Sequence, residues 1–156
     1  MSPNIVFTRI DNRLVHGQVG STWISSTNAN LIVVVDDEAA TNLVQQQLMR
    51  MTSDGAGVGI RFFTTQKTIE IISKASAEQK IFLIAKTPSV IRELLNGNVP
   101  IKNVNIGNMH FSEGKKEYID AHVYVDQKDI EDIAYIKSKV EEIFIQMLPT
   151  DRKQVI

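Results

Sequence analysis

One histidine lies beside charged side chains in a short segment near the start of the chain. Residues 9–20 read RIDNRLVHGQVG, and this segment contains Asp11, Arg13 and His16. A neutral imidazole is a competent nucleophile at neutral pH. A guanidinium group is a permanently charged, forked donor that suits phosphate oxygens. Together these residue types predict a histidine that can accept a phosphoryl group and hold it.

The position of this segment strengthens the prediction. An apolar run predicted as the first strand precedes it, and the first predicted helix, residues 17–26, follows it. The first backbone N–H groups of a helix are unpaired, and the helix dipole favours an anion beside them. Gly17 would let the backbone approach that anion closely. The alternative is a solvated loop histidine, or an anion-binding regulatory module that holds its ligand without turnover.

The elements around this segment alternate between strand and helix. Short runs rich in valine, isoleucine and phenylalanine predict strands at residues 4–10, 31–36, 58–63, 81–85 and 102–107. Amphipathic stretches predict helices at residues 17–26, 38–52, 65–75 and 88–95. The last third predicts strands at 121–126 and 142–148, flanking a helix at 128–139. This order predicts an α/β fold with a doubly wound, mainly parallel sheet of about seven strands and helices on both faces.

Size and composition narrow the class of protein. The chain has 156 residues, of which 43% are hydrophobic, and this predicts a single domain over residues 1–156. A net charge of −1 argues against nucleic acid as the partner, and the lack of cysteine excludes disulfides and thiolate chemistry. The first residues do not resemble a signal peptide, and no apolar run approaches the roughly 20 residues of a membrane span. We therefore expect a cytoplasmic protein.

Two further segments suggest phosphate or metal binding, but each has a simpler interpretation. Residues 54–59, DGAGVG, lack the Lys-Ser/Thr of a phosphate-binding loop and precede a strand, so a plain turn is favoured. Residues 36–38, DDE, could hold magnesium, but acidic residues are expected at a helix start on dipole grounds alone. No metal site is predicted.

Four single residues are weighed in the same way. Thr87 precedes Pro88 and is a candidate helix cap, although it is also placed to approach the phosphoryl site. His110 follows the fifth strand and could face the same edge as His16 or be incidental. His122 is interpreted as structural, and Trp23 as part of the core or of a partner surface.

The longer segment RIDNRLVHGQVGSTW resembles the active-site segment of enzyme IIB of the mannose/fructose/sorbose family of the bacterial sugar phosphotransferase system (PTS). The resemblance extends over nearly the whole chain through LIVVVDDEAA, LMRM, IFLIAKTP, VNIGNMH and FIQMLPTD. The loop IGNMH is most similar to the N-acetylgalactosamine branch. Asn12 and Val15 occupy variable positions of the family motif, so no essential position of the motif is missing.

The resemblance implies a role for each motif residue. His16 would take a phosphoryl group from phosphohistidine on enzyme IIA and pass it to the incoming sugar. Arg13 would bind the phosphoryl oxygens, and Gly17 and Gln18 would offer backbone donors to them. Asp11 would orient the imidazole or tune its basicity. The resemblance also suggests that Nδ1 of the imidazole carries the phosphoryl group.

The resemblance also implies partners and a location. Membrane subunits IIC and IID would bring the sugar, so the protein would associate peripherally with a membrane transporter. The implied sugar is N-acetylgalactosamine, with mannose, sorbose or fructose as alternatives. A homodimer is compatible with the family, and neither a cofactor nor a nucleotide is required, because a phosphohistidine is itself a high-energy donor.

Overall fold

The computed structural model describes residues 3–156, which form a main sheet, a separate hairpin and five helices. The strands are β1 (Asn4–Asp11), β2 (Leu31–Val35), β3 (Gly59–Phe63), β4 (Lys80–Ala85), β5 (Asn103–Asn108), β6 (Lys116–Tyr118), β7 (Asp120–Val125), β8 (Glu142–Ile145) and β9 (Gln154–Val155). The helices are α1 (Gly17–Thr27), α2 (Leu43–Gly55), α3 (Thr65–Ile71), α4 (Pro88–Asn96) and α5 (Gln127–Lys139). Two short 3₁₀ turns, Ala39–Thr41 and Ile72–Lys74, adjoin α2 and α3.

The main sheet has seven strands in the order β3-β2-β4-β1-β5-β8-β9. The neighbouring pairs from β3 to β8 are parallel, and β9 runs antiparallel to β8. Strand β1 lies at the centre, where Ile10 is in register with Ala85 of β4 and Ile106 of β5. The doubly wound, mainly parallel fold predicted from the sequence is confirmed. The loops that follow β1, β4 and β5 consequently meet at one edge of the sheet.

Both faces of the sheet are covered, which explains the continuous apolar strands. All five residues of β2 are buried, and alternate side chains point to opposite faces. One core contains Val33 and Leu83 together with residues of α4 and α5, and the other contains Ile32 and Phe82 together with residues of α1 and α2. Each fully buried aliphatic side chain contributes about 1.5–3 kcal/mol by leaving water. Within residues 3–156, each helix is too short or too polar to cross a bilayer.

The predicted helix boundaries differ from the structure where side chains cap the backbone. The helix predicted from residue 38 begins at Leu43, because the Asn42 side chain accepts a hydrogen bond from the N–H of Gln45 at 3.0 Å. The residues before it form a 3₁₀ turn, in which the Asp36 carboxylate accepts a hydrogen bond from the N–H of Ala39 at 3.0 Å. The helix predicted for 65–75 ends at Ile71 and continues as a 3₁₀ turn.

The predicted strands of the last third also need correction. The strand predicted at 121–126 exists as β7, but it pairs with β6 in a separate antiparallel hairpin. The strand predicted at 142–148 ends at Ile145. Beyond it, the carbonyl of Gln146 accepts hydrogen bonds from the side chains of Arg9 and Asn105, so this backbone serves buried side chains instead of a neighbouring strand.

Candidate active site

The loop between β1 and α1 makes a sharp turn with two left-handed residues. Leu14 has φ +57°, Gly17 has φ +46°, and the N–H of Leu14 donates to the carbonyl of Asp11 at 2.9 Å. A left-handed conformation is costly for leucine, but the Leu14 side chain is buried in the core beside α1. Burial of that side chain opposes the backbone cost, so the loop has a fixed shape.

Asp11 ends β1 and joins two arginines. Its carboxylate is completely buried, with Oδ2 3.1 Å from Nη2 of Arg9 and Oδ1 3.2 Å from Nε of Arg13. Oδ1 also accepts a hydrogen bond from the backbone N–H of Arg13 at 2.9 Å. Asp11 therefore pairs with the two arginines, and among residues 3–156 its carboxylate makes no hydrogen bond to the imidazole of His16. The role towards His16 that the resemblance implies for Asp11 stays a prediction. Asp11 positions Arg13, whose side chain is partly exposed at the loop surface.

Arg9 is the buried anchor of this arrangement. Its guanidinium donates to Oδ1 of Asn105 at 2.5 Å and to the carbonyl of Met147 at 3.1 Å, besides its pairing with Asp11. Burial lowers the pKa of Arg9, and the charge and hydrogen bond of Asp11 oppose that shift. Gly107 on β5 leaves the necessary space, because a Cβ there would overlap the Arg9 guanidinium.

Arg9 is a functional residue that the sequence motif alone does not assign. The motif places Arg13, and not Arg9, at the phosphoryl group. One signal could have found Arg9, because it is the one charged residue that precedes Asp11 in this strand, two residues before Asp11 and hence on the same face.

His16 is the N-cap residue of α1, directly before Gly17. It has extended backbone angles, and its Nδ1 lies 3.1 Å from the carbonyl oxygen of Leu14. Its Nε2 is buried and has no hydrogen-bond partner among the described residues. Within residues 3–156, no side chain caps the start of α1, and its first turn contains no acidic residue. The N–H groups of this turn are therefore available to an anion, with Gly17 and Gln18 exposed beside them.

His16 lines an open cavity of about 300 Å³ between the β1–α1 loop and α2. The other lining residues are Asn12, Arg13, Leu14, Val15, Gln45, Leu48, Met49 and Lys86. Lys86 follows β4, and its Nζ lies 3.6 Å from Oδ2 of Asp36. Two cationic side chains, Arg13 and Lys86, thus share the cavity with the histidine. In the sequence, Lys86 follows the strand predicted at 81–85 and lies in the segment IFLIAKTP, but the sequence predicts no role for it in the site.

Thr87 and His110 lie next to this cavity and do not line it. Both line a smaller adjoining space of about 30 Å³ that shares Asn12 and Lys86 with the larger one. Thr87 is the N-cap residue of α4, but its side chain makes no capping hydrogen bond. The predicted site residues Asp11, Arg13, His16, Gly17 and Gln18 thus extend from the end of β1 to the first turn of α1, with Thr87 and His110 beside the cavity.

The other sequence candidates have structural roles. Residues 54–59 form the end of α2, a turn and the start of β3. Asp37 accepts a hydrogen bond from the N–H of Thr65 at 2.9 Å, and so holds the start of α3. Trp23 is buried, stacks on Phe7 at 4.7 Å, and donates to the carbonyl of Met147 at 2.7 Å. His122 is exposed on β7.

Comparisons with known proteins identify the family of the chain. The model of the family described as the PTS system sorbose subfamily IIB component matches residues 5–156. The chain is 56% identical over 155 residues to the N-acetylgalactosamine-specific phosphotransferase enzyme IIB component 1 of Escherichia coli (strain K12), covering 99% of this chain and 98% of that protein. It is 34% identical over 158 residues to the mannose-specific EIIAB component of the same organism, covering 98% of this chain and 48% of that protein.

A solved structure extends the agreement to the fold. The crystal structure of the N-acetylgalactosamine-specific IIB component 1 from Escherichia coli superposes with a TM-score of 0.94 at 56% identity, covering 98% of this chain and 99% of that one. The chain belongs to the sorbose subfamily of PTS IIB components. Proteins of this kind are phosphotransferases that work with IIA and membrane partners of the same system.

Proposed function

We propose that this protein, as one IIB domain over residues 1–156, accepts a phosphoryl group on His16 and transfers it to N-acetylgalactosamine. The observation that carries this proposal is the location of His16 at the uncapped start of α1, in a cavity with Arg13 and Lys86. Helix N–H groups and two cations together provide the electrostatic stabilisation that a phosphoryl group needs during transfer.

Each transfer exchanges one bond to phosphorus for another. A lone pair of the His16 imidazole attacks phosphorus, the P–N bond of the donor phosphohistidine breaks, and its electron pair returns to the donor imidazole. In the second transfer a sugar hydroxyl attacks phosphorus and the P–N bond to His16 breaks, so that its electron pair returns to the imidazole nitrogen. The hydroxyl proton passes to that nitrogen, which frees neutral His16. The enzyme's contribution is positioning and charge stabilisation. We propose that the side chains of Arg13 and Lys86 bind the phosphoryl oxygens. The backbone N–H groups of Gly17 and Gln18 stabilise the negative charge of the same oxygens.

The imidazole has to turn before it can react through Nδ1. If Nδ1 donates its hydrogen to the carbonyl of Leu14, the lone pair resides on Nε2, which is buried. Attack by Nδ1, which the family resemblance suggests, requires that nitrogen to leave the Leu14 carbonyl and lose its hydrogen. Phosphorus NMR of the phosphorylated protein distinguishes the two nitrogens.

The names of similar proteins support the choice of sugar and partners. The relative at 56% identity is named N-acetylgalactosamine-specific, and the relative named EIIAB joins A and B components in one name. We propose enzyme IIA as the donor, IIC and IID as the membrane subunits that present the sugar, and a cytoplasmic location with peripheral association at that transporter. Thr87 lines the adjoining space, and we propose that it contacts the phosphoryl group from there.

Labelling tests the proposal directly. Incubation with radiolabelled phosphoenolpyruvate, the general PTS proteins and the cognate enzyme IIA should label the protein on a group that is stable in base and labile in acid. His16→Ala should reduce labelling at least about a thousandfold, because it removes the nucleophile. His122→Ala, which changes an exposed histidine on β7, should label normally. Normal labelling of His16→Ala would refute the assignment.

Membrane vesicles that contain the IIC and IID subunits test the second transfer. The labelled protein should phosphorylate N-acetylgalactosamine faster than mannose, sorbose or fructose. Reversible anion binding without a covalent label would favour the regulatory-module alternative instead.

A further inference from the structure

Helix α2 exposes an apolar stripe to solvent. Leu43, Val44, Leu48 and Met51 recur at helical spacing, as in helices that pack an apolar face against a core. In the structure, Val44, Leu48 and Met51 are instead 69%, 63% and 72% exposed, and Leu43 is 72% exposed. The face turned towards the protein buries Met49 and Ser53. Val44, Leu48 and Met51 lie at positions i, i+4 and i+7 of the helix, so their side chains form one continuous row.

This apolar stripe, residues 43, 44, 48 and 51, adjoins the His16 cavity. Leu48 belongs to both, since it lines the cavity together with His16 and Arg13. A macromolecule that presents a phosphohistidine to His16 has to cover the opening of this cavity, and α2 forms one of its walls. Contiguous exposed apolar patches mark interaction sites in soluble proteins.

We infer that the stripe on α2 is the docking surface for the protein that donates the phosphoryl group to His16; this inference rests on the proposed function. Charge distinguishes the donor from other occupants. A donor that arrives phosphorylated brings an anion to Arg13 and Lys86, whereas a sugar-presenting partner brings a neutral acceptor. Between Leu43 and Met51, the one charged residue is Arg50, so the stripe itself adds no negative charge that would repel the phosphorylated donor.

The size of the stripe suits a partner that binds and leaves. Four side chains offer roughly a few hundred Å² of apolar surface, whereas stable interfaces bury about 1,200–2,000 Å². A permanent dimer of this chain formed on α2 would also cover the cavity that His16 lines. A carrier that exchanges partners requires the opposite, a small contact that centres each partner on the histidine and then releases it.

The test replaces two members of the stripe that do not line the cavity. In the full chain, Val44→Gln together with Met51→Gln removes apolar surface without adding charge. We expect the KM for the phosphorylated enzyme IIA to rise at least about tenfold, because the lost apolar contacts contribute to binding. The kcat should stay within about twofold, since His16 and its neighbours are untouched. The melting temperature should not change, because both side chains are exposed.

Val155→Gln is the matched control, because Val155 is an exposed valine on β9 at the far edge of the sheet. It should leave KM unchanged, and so should the single substitution Met51→Leu, which keeps an apolar side chain at this position of the stripe. An unchanged KM in the double variant, or an equal rise in the control, would overturn the docking surface while leaving the proposed function intact. Wild-type protein that takes no label from enzyme IIA would overturn both.

Two other outcomes would assign the stripe to a different occupant and so overturn the inference. One is a normal KM for the donor with slower transfer to sugar in vesicles that contain the membrane subunits. The other is a wild-type dimer, measured by sedimentation velocity, that the double variant converts to monomer while the KM for the donor stays unchanged.

Discussion

At the scale of single residues, the site depends on a carboxylate that does not touch the histidine. The Asp11 carboxylate pairs with the buried Arg9 and with the partly exposed Arg13. A buried charge pair stays favourable only while both partners are present, since loss of one partner leaves an uncompensated charge. Asp11 therefore affects both folding, through Arg9, and chemistry, through Arg13.

Comparing Asp11→Asn with Arg13→Gln should separate the effect of Asp11 on folding from its effect on phosphoryl transfer. We expect Asp11→Asn to lower the free energy of unfolding by about 3 kcal/mol, because Arg9 stays buried without its counter-charge. Arg13→Gln changes a partly exposed side chain, so its free energy of unfolding should stay within about 1 kcal/mol of wild type. Both should slow phosphoryl transfer, Arg13→Gln by about a hundredfold. Urea unfolding and single-turnover labelling measure the two quantities. Wild-type stability of Asp11→Asn would contradict the dual role of this carboxylate.

The position of the site was predictable from the sequence, but the hydrogen bonds and ion pairs between its residues were not. The residues from Asp11 to Gln18 follow an apolar strand and precede a helix, and this order alone predicts an anion site at the sheet edge. The sequence places Arg9 on the same face as Asp11, but it does not show that Asn105 and the carbonyl of Met147 bind the Arg9 guanidinium. These two groups are far from Arg9 in the chain and meet it only in the folded sheet, so local patterns do not predict these contacts.

At the scale of elements, β1 and β5 fit together because one of them lacks a side chain. Gly107 on β5 lies against the guanidinium of Arg9 on β1, so the strand pair encloses a charged group within the sheet. The same two strands end at the edge of the sheet that carries the candidate site, so their packing positions Asp11.

Gly107→Ala should destabilise the protein by at least about 3 kcal/mol, because the new methyl group displaces a buried guanidinium that pairs with the buried Asp11 carboxylate. Gly55→Ala is a suitable comparison, since a Cβ at that helical position meets no atom within 4 Å. It should leave the free energy of unfolding unchanged or slightly raised. Guanidinium chloride unfolding of both variants provides the measurement. Equal stability of the two variants would show that a methyl group fits between β5 and the Arg9 guanidinium.

Most strands and most helix starts were predicted to within one residue, and the start of α2 is the exception among the helices. Continuous apolar runs of five or six residues identify strands covered on both faces, and β2 and β4 are of this kind. Helix starts depend on single capping side chains such as Asn42, which can end a preceding turn as well as begin a helix. The amphipathic pattern of α2 is real, but only tertiary packing decides that its apolar row faces outward.

At the scale of the whole molecule, the C-terminal strand completes the sheet on the side away from α2. Strand β9 pairs with β8, and the N–H of Ile156 donates to the carbonyl of Ile143 at 3.0 Å. Gln154 also donates to Asp120 at 3.4 Å, which ties this edge to the hairpin. These contacts protect an edge strand but do not reach the site.

Deletion of residues 154–156 should therefore lower stability without abolishing transfer. We expect a loss of about 2 kcal/mol, since the deletion exposes part of the core and the edge of β8. The rate of His16 labelling at 25 °C should stay within about twofold. Thermal unfolding and labelling of the same preparation measure both. A folded but inactive truncation would show that this edge communicates with the site.

The uncapped start of α1 has a thermodynamic consequence. Many helices are preceded by a polar side chain that accepts hydrogen bonds from their first N–H groups. The N-cap residue of α1 is His16, whose side chain accepts none, and the first turn of α1 has no acidic residue. A phosphoryl group on His16, as proposed, would supply that missing negative cap. Covalent loading and folding are then linked, so the loaded carrier resists unfolding better than the empty one. Each delivery to sugar would return the chain to its less stable form, and the lifetime of the protein in the cell would follow its supply of phosphoryl groups.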